Sequence, residues 1–88
     1  MVYELFWDSK AEKQLSKLDK SVQKDIQAYI NQFVKTENPK QKGYGLKHQL
    51  SGLWRYDIGQ YRLLCEIREE QLIIIAVKVG HRKHVYDR

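Results

Sequence analysis

The architecture of this 88-residue chain follows from the segment Trp54-Arg55-Tyr56-Asp57-Ile58-Gly59-Gln60-Tyr61-Arg62-Leu63-Leu64-Cys65-Glu66-Ile67-Arg68. Apolar and polar residues alternate on both sides of Gly59-Gln60, which is typical of two half-buried strands joined by a tight hairpin turn. A second turn at residues 69–71 leads into an apolar run at residues 72–79, which predicts the most buried strand. Strands joined by short hairpins must be antiparallel.

The N-terminal half predicts one strand and two helices. Residues 2–7 are rich in Val, Tyr, Phe and Trp, as in a strand, and Ser9 with Glu12 forms a capping-box pattern at the start of a short helix. A second helix can be capped by Asp19 and ended by Asn38-Pro39. Its apolar residues fall on one stripe: Val22, Ile26, Tyr29, Ile30, Phe33 and Val34.

The predicted element order is therefore β-α-α-β-β-β. We expect a single α+β domain over residues 1–88, with an antiparallel sheet and both N-terminal helices packed on one of its faces. A long connection, residues 36–52, joins the second helix to the hairpins. Connections of this length in small domains are usually functional or disordered.

The net charge of +5 is unevenly distributed. Residues 1–34 are neutral, residues 35–62 carry +4, residues 63–77 carry −2 and residues 78–88 carry +3. The excess positive charge thus lies in the long connection, in the strand that follows it and in the tail. This pattern favours a polyanionic partner, and an ordinary solvated basic surface is the alternative.

Cysteine usage and hydropathy indicate a cytoplasmic protein. The single cysteine, Cys65, lies in an apolar run, so we predict a buried thiol in a reducing compartment and no metal site of recognisable spacing. No stretch approaches the about 20 apolar residues of a membrane span. The N-terminus has neither the basic nor the apolar region of a signal peptide.

The tail places proton-transfer and phosphate-binding groups directly after the buried strand: His81, Arg82, Lys83, His84 and Tyr86. Arg55, Asp57 and Arg62 are expected on the sheet face opposite the helices, and the tail is expected to reach the rim of that face. Four basic residues of the long connection are expected to border it: Lys40, Lys42, Lys47 and His48.

Such groups suit metal-free cleavage of RNA. A base removes the proton of the ribose 2′-hydroxyl, cations stabilise the pentacoordinate phosphorane, and an acid protonates the departing 5′-oxygen. Guanidiniums bind phosphorane oxygens bidentately and stay charged at every relevant pH. An aromatic ring can stack on the base and hold the nucleotide.

The chain resembles RelE-type toxins of the RelE/ParE superfamily over nearly its whole length. The most specific segments are Leu50-Ser51-Gly52-Leu53-Trp54-Arg55-Tyr56, Gly59-Gln60-Tyr61-Arg62-Leu63 and Val79-Gly80-His81-Arg82 with Val85-Tyr86. The resemblance implies a toxin that cleaves messenger RNA in the ribosomal A site without a metal or other cofactor. It also implies a cognate antitoxin protein and contacts with ribosomal RNA.

The resemblance assigns roles to individual residues. Arg62 stabilises the scissile phosphate, Arg82 stabilises the transition state or assists the leaving group, and Tyr86 orients the base. Arg55 matches a position that binds the phosphate backbone. The remaining basic positions are expected to contact RNA: Lys40, Lys42, Lys47, His48 and Lys83.

The general base is where the chain departs from the family. Asp57 stands where RelE carries a lysine, and the glutamate of the YoeB branch falls near Tyr44. Asp57 is a candidate base if no salt bridge engages it, and His81 or His84 are candidate proton carriers. The third alternative is catalysis by arginine electrostatics and positioning alone.

Two other functions stay open on the sequence. One is a ParE-like inhibitor of DNA gyrase, although ParE-type chains generally lack the Gly-His-Arg…Val-Tyr tail. The other is a catalytically inactive module that binds its antitoxin or RNA. For Arg62 itself, the alternative to a catalytic role is a plain cross-strand contact with Asp57 or Glu66.

Overall fold

Both predicted hairpins are present in the computed structural model, which describes residues 1–85. Strand β1 spans Glu4–Trp7, helix α1 Ser9–Ser16 and helix α2 Lys20–Tyr29. The other strands are β2 (Tyr44–Gly45), β3 (Leu53–Ile58), β4 (Tyr61–Arg68) and β5 (Ile73–His81). Short 3-10 turns occupy Pro39–Gln41, His48–Leu50 and Glu69–Gln71. The α+β class is therefore confirmed.

The sheet is mixed, which corrects the predicted antiparallel sheet. Its strand order is β1-β5-β4-β3-β2, and β1 runs parallel to β5, with Glu4 opposite Ile73 and Trp7 opposite Ala76. No hairpin joins β1 to β5, so the antiparallel rule for short turns never applied to this pair. Strand β2 is an additional strand of two residues, too short for its side-chain alternation to be visible in the sequence.

The helix ends differ from the predicted ones. Asp8, not Ser9, is the N-cap of α1, and its carboxylate accepts the Lys10 amide at 3.1 Å. Asp19 occupies the N-cap of α2 without a side-chain capping bond. The second helix continues through Ile30–Val34 as a π turn and ends there, well before Pro39.

The core lies between the sheet and the two helices. Tyr56, Leu63, Cys65, Ile74, Ala76 and Val79 of the sheet are buried against Leu15, Ile26, Ile30 and Val34. Cys65 is a free buried thiol, as predicted, and burial raises its pKa. One face of the sheet is thus covered by the helices, while the opposite face, called here the open face, carries Arg55, Asp57 and Arg62.

The helices of the described part, residues 1–85, are all too short or too polar to cross a membrane.

Candidate functional site

Arg55, Asp57 and Arg62 form one ion-pair cluster on the open face. Asp57 lies directly opposite Arg62 in the β3–β4 register. Its Oδ1 is 3.3 Å from Arg62 Nε, and its Oδ2 is 3.1 Å from Arg55 Nη2. The arginine side chains are only 14% and 25% exposed, whereas Asp57 is 45% exposed. Two guanidiniums are therefore fixed side by side at a partly desolvated surface.

Tyr44 completes this cluster, and sequence reasoning did not include it among the site residues. Its hydroxyl donates to Asp57 Oδ2 at 3.2 Å, and the Arg55 guanidinium carbon lies 4.1 Å from the centre of its ring. Such stacking fixes the plane of the guanidinium. The signal available in the sequence was an aromatic residue between Gly43 and Gly45 in a polar connection.

Gly43 allows the long connection to pack closely against β3. Its φ is +77°, and a Cβ at this position would stand 2.2 Å from the backbone oxygen of Arg55. Only glycine fits both the left-handed conformation and this close approach. The next residue, Tyr44, then pairs with Arg55 in the β2–β3 register.

The turn that carries Arg82 is attached to the tip of the β3–β4 hairpin. The Arg82 backbone N–H donates to the Gln60 carbonyl oxygen at 2.7 Å. The Gln60 side-chain Oε1 lies 3.2 Å from His81 Nε2. Arg82 follows two positions after Gly80, which pairs with Arg62. Gln60 thus holds the start of the tail turn at the hairpin tip through both its backbone and its side chain.

His81 is held through both ring nitrogens. The Lys83 backbone N–H donates to Nδ1 at 3.2 Å, so Nδ1 carries no proton and the neutral ring has its proton on Nε2, facing Gln60 Oε1. His81 pairs with Tyr61 and makes an edge contact with its ring, centroid to centroid 5.5 Å. It therefore lies on the helix side, opposite Arg62, whereas His84 is exposed in the turn.

The long connection does not border the open face as uniformly as predicted. Lys40 pairs with Glu69 at 2.6 Å and lies over the Trp54 ring, and Lys42 lies over Phe33. Both rings belong to the helix side, so these two lysines do not join Arg55 and Arg62. Lys47 and His48 are exposed in the loop between β2 and β3, and Lys83 is exposed in the tail turn.

Tyr86 lies outside the described residues. Among residues 1–85, no three His, Cys, Asp or Glu side chains form a group that could hold a metal ion. The arrangement that remains is a fixed pair of arginines, with the backbone of Arg82 bonded to the tip of the same hairpin. It offers bidentate donors to a polyanion at a surface open to a large ligand.

Comparison with known proteins supports the fold and identifies its family. The model of the ParE toxin of type II toxin–antitoxin systems matches residues 5–86. The RelBE2 toxin–antitoxin complex of Mycobacterium tuberculosis gives a TM-score of 0.85 at 24% identity, over 93% of this chain and 100% of the relative. No curated protein matches the sequence significantly.

Two further solved structures have the same fold. The isolated E. coli RelE toxin gives a TM-score of 0.74 at 21% identity, over 90% of this chain and 83% of the relative. The archaeal RelE–RelB complex of Pyrococcus horikoshii gives 0.73 at 22% identity, over 96% of this chain and 99% of the relative. At these identities the likeness establishes the fold alone.

Proposed function

Because the chain belongs to the ParE toxin family of type II toxin–antitoxin systems, within the RelE/ParE superfamily, we propose that it is a ribosome-dependent endoribonuclease. Its substrate is messenger RNA in the ribosomal A site, and its compartment is the cytoplasm. The observation that carries the proposal is the fixed Arg55–Asp57–Arg62 cluster beside the turn that bears Arg82. Guanidiniums held in a fixed arrangement suit the recognition of a phosphate group.

The proposed reaction needs no metal. The ribose 2′-oxygen forms a bond to the adjacent phosphorus as its proton leaves, and the bond from phosphorus to the 5′-oxygen breaks. The products are a 2′,3′-cyclic phosphate and a 5′-hydroxyl that has gained a proton. Arg62 stabilises the scissile phosphate, Arg82 stabilises charge on the phosphorane or leaving oxygen, and Tyr86 orients the base.

The contacts favour arginine electrostatics over a dedicated base. Asp57 accepts on both carboxylate oxygens from Arg55, Arg62 and Tyr44, which suits holding the guanidiniums in place. His81 has both nitrogens engaged and lies on the helix side. We therefore propose that Asp57 and His81 are positioning residues, and that His84 is the imidazole to test for proton transfer. Without a dedicated base we expect the cleavage step to be slow, and we expect the ribosome to supply much of the alignment of the message.

An antitoxin is the proposed protein partner. The RelBE2 relative was solved as a toxin–antitoxin complex. The basic face of this chain, with net charge +5 overall, suits an acidic segment that folds on binding. Lys47, His48 and Lys83 stay proposed contacts to message or 16S ribosomal RNA, because they are exposed in the β2–β3 loop and in the tail turn.

The alternative function is inhibition of DNA gyrase, favoured by the family model, which is that of a ParE toxin. A supercoiling assay tests it directly. Inhibition of gyrase with no cleavage of ribosome-bound message would replace the nuclease proposal. Absence of both activities would favour an inactive module that binds its antitoxin.

The decisive experiment is cleavage of a defined message on programmed 70S ribosomes. Wild type is compared with Arg62→Ala and Arg82→Ala. Arg68→Ala is the matched control, since Arg68 lies on the same strand face as Arg62 and is exposed beside Glu66. We expect A-site cuts with cyclic phosphate ends from wild type and control, strongly reduced in both site variants. A message that stays uncut by the wild type would contradict the proposal.

A further inference from the structure

Strand β5 extends past its neighbour β1. The two strands pair only from Glu4–Ile73 to Trp7–Ala76, whereas β5 continues to His81. Beyond this point helix α1 takes the place of a strand, and the Val79 backbone N–H donates to Gln14 Oε1 at 3.0 Å. The edge of the sheet and the side of α1 thereby enclose a groove.

This groove, called here the α1–β5 cleft, has a volume of about 420 Å³. Its charged and titratable lining is entirely basic: Lys10, Lys17, Lys78 and His84. Lys10, Gln14 and Lys17 recur at i, i+4 and i+7, so they lie on one face of α1. Neither Lys10 nor Lys17 forms an ion pair with another residue of the described part.

Gln14 adds a hydrogen-bond donor to the cleft. Gln14 lines the cleft, and its Oε1 accepts the Val79 amide, so the NH₂ group is the part of this side chain left to bind a ligand. Ammonium groups and an amide NH₂ are donors without acceptor capacity. A groove with three ammonium groups and no carboxylate in its described lining favours an anion over a cationic ligand.

We propose that the α1–β5 cleft binds a phosphodiester group of RNA. The choice of RNA rests on the proposed function. Continuity with the arginine cluster supports it, because Gly80 lines the cleft and pairs directly with Arg62 on β4. Adjacent paired strands are about 4.8 Å apart. The cleft and the arginine cluster therefore lie on neighbouring strands, close enough for one strand of RNA to contact both.

The phosphodiester can come from the message or from ribosomal RNA, and two binding measurements distinguish these sources. The first uses a fluorescent 2′-O-methyl RNA oligonucleotide, which lacks the nucleophilic hydroxyl and is not cleaved. The second uses 70S ribosomes programmed with the same uncleavable message. Both are carried out over a range of salt concentrations with wild type, the Lys10→Ala/Lys17→Ala double variant and Lys13→Ala.

Lys13→Ala is the matched control because Lys13 is exposed on the same helix and does not line the cleft. The double variant is expected to bind more weakly than the control. Its slope of log K against log salt is expected to be shallower by about 0.7 for each phosphate that the variant no longer neutralises. Thermal melts check that both variants fold, which their exposed positions lead us to expect.

If the double variant loses affinity only for ribosomes, the cleft is assigned to ribosomal RNA. If it also loses affinity for the free oligonucleotide, the cleft is assigned to the message. Affinities and slopes equal to those of Lys13→Ala in both measurements would overturn the proposal. So would a wild type that binds neither probe. Cleft-dependent RNA binding by a wild type that makes no A-site cut would support the cleft while contradicting the nuclease.

Discussion

Arg62 and Asp57 face each other across the β3–β4 hairpin, with Arg62 Nε 3.3 Å from Asp57 Oδ1. The other oxygen of the same carboxylate holds Arg55 and Tyr44. One acidic residue thus fixes two cations and an aromatic ring at the surface proposed to bind RNA. Variants of Asp57 can therefore test whether this carboxylate positions the arginines or transfers a proton.

Asp57→Asn is expected to reduce single-turnover cleavage on ribosomes by up to about 100-fold, because misplaced guanidiniums lose alignment with the phosphate. Stability should change by less than about 1 kcal/mol, since the ion pairs are partly exposed. If Asp57 only positions the arginines, the pH–rate profile of Asp57→Asn keeps both limbs of the wild-type profile. In that case Asp57→Glu recovers part of the cleavage rate. Disappearance of the acidic limb in Asp57→Asn would instead identify Asp57 as the general base.

Gln60→Ala is expected to lower the cleavage rate while leaving the hairpin intact. The variant keeps the backbone bond from Arg82 and removes the side-chain hydrogen bond with His81, so the tail turn is held less firmly. Gln71→Ala, an exposed glutamine in another turn, is the control. Double-mutant cycles with His81→Ala measure the coupling. Additive effects in that cycle would show that the Gln60–His81 hydrogen bond does not position the tail.

Gly43→Ala is expected to destabilise the protein more than Gly52→Ala. Both glycines have positive φ, +77° and +95°, but only a Cβ at Gly43 meets backbone, at 2.2 Å from Arg55 oxygen. The strain of the left-handed conformation costs about 1–2 kcal/mol in each variant. The additional clash should displace Tyr44 from Asp57 and reduce cleavage. Equal urea midpoints for the two variants would contradict the close packing.

Tyr56→Phe is expected to lower stability at pH 7 by about 1 kcal/mol, because the Tyr56 hydroxyl donates to the Pro39 oxygen at 2.5 Å. Burial raises the pKa of Tyr56 above its ordinary value of about 10. The folded state therefore keeps a proton that the unfolded chain releases above pH ~10, and stability falls as pH rises.

The Tyr56→Phe variant has no ionisable hydroxyl at this position. Its free energy of unfolding should therefore fall less steeply than that of the wild type above pH ~10. Cys65, whose pKa is also raised by burial, still contributes in both proteins. Urea unfolding at pH 7 and at alkaline pH gives the comparison. Parallel stability curves for wild type and Tyr56→Phe would contradict the link between this hydroxyl and alkaline unfolding.

Periodicity predicted the parts of the fold that depend on neighbours in sequence. The β3–β4 hairpin, the burial of Tyr56 and Cys65, and the shared face of Arg55, Asp57 and Arg62 all follow from alternation around Gly59-Gln60. The N-cap was placed one residue late because Asp8 and Ser9 are both good capping residues. Strand β2 and the parallel pairing of β1 were missed because they depend on residues distant in sequence.

The candidate site divides in the same way. The sequence by itself determined which cations share a sheet face, because side chains in a strand alternate with a period of two. It also determined which residues resemble those of a toxin family. Only the tertiary structure decided that Asp57 is engaged on both oxygens, that Tyr44 joins it, and that Gln60 holds the tail. These interactions join residues that are distant in the sequence. They depend on the pairing register of the strands and on the close packing of Gly43 against β3, and no local pattern of residues encodes either.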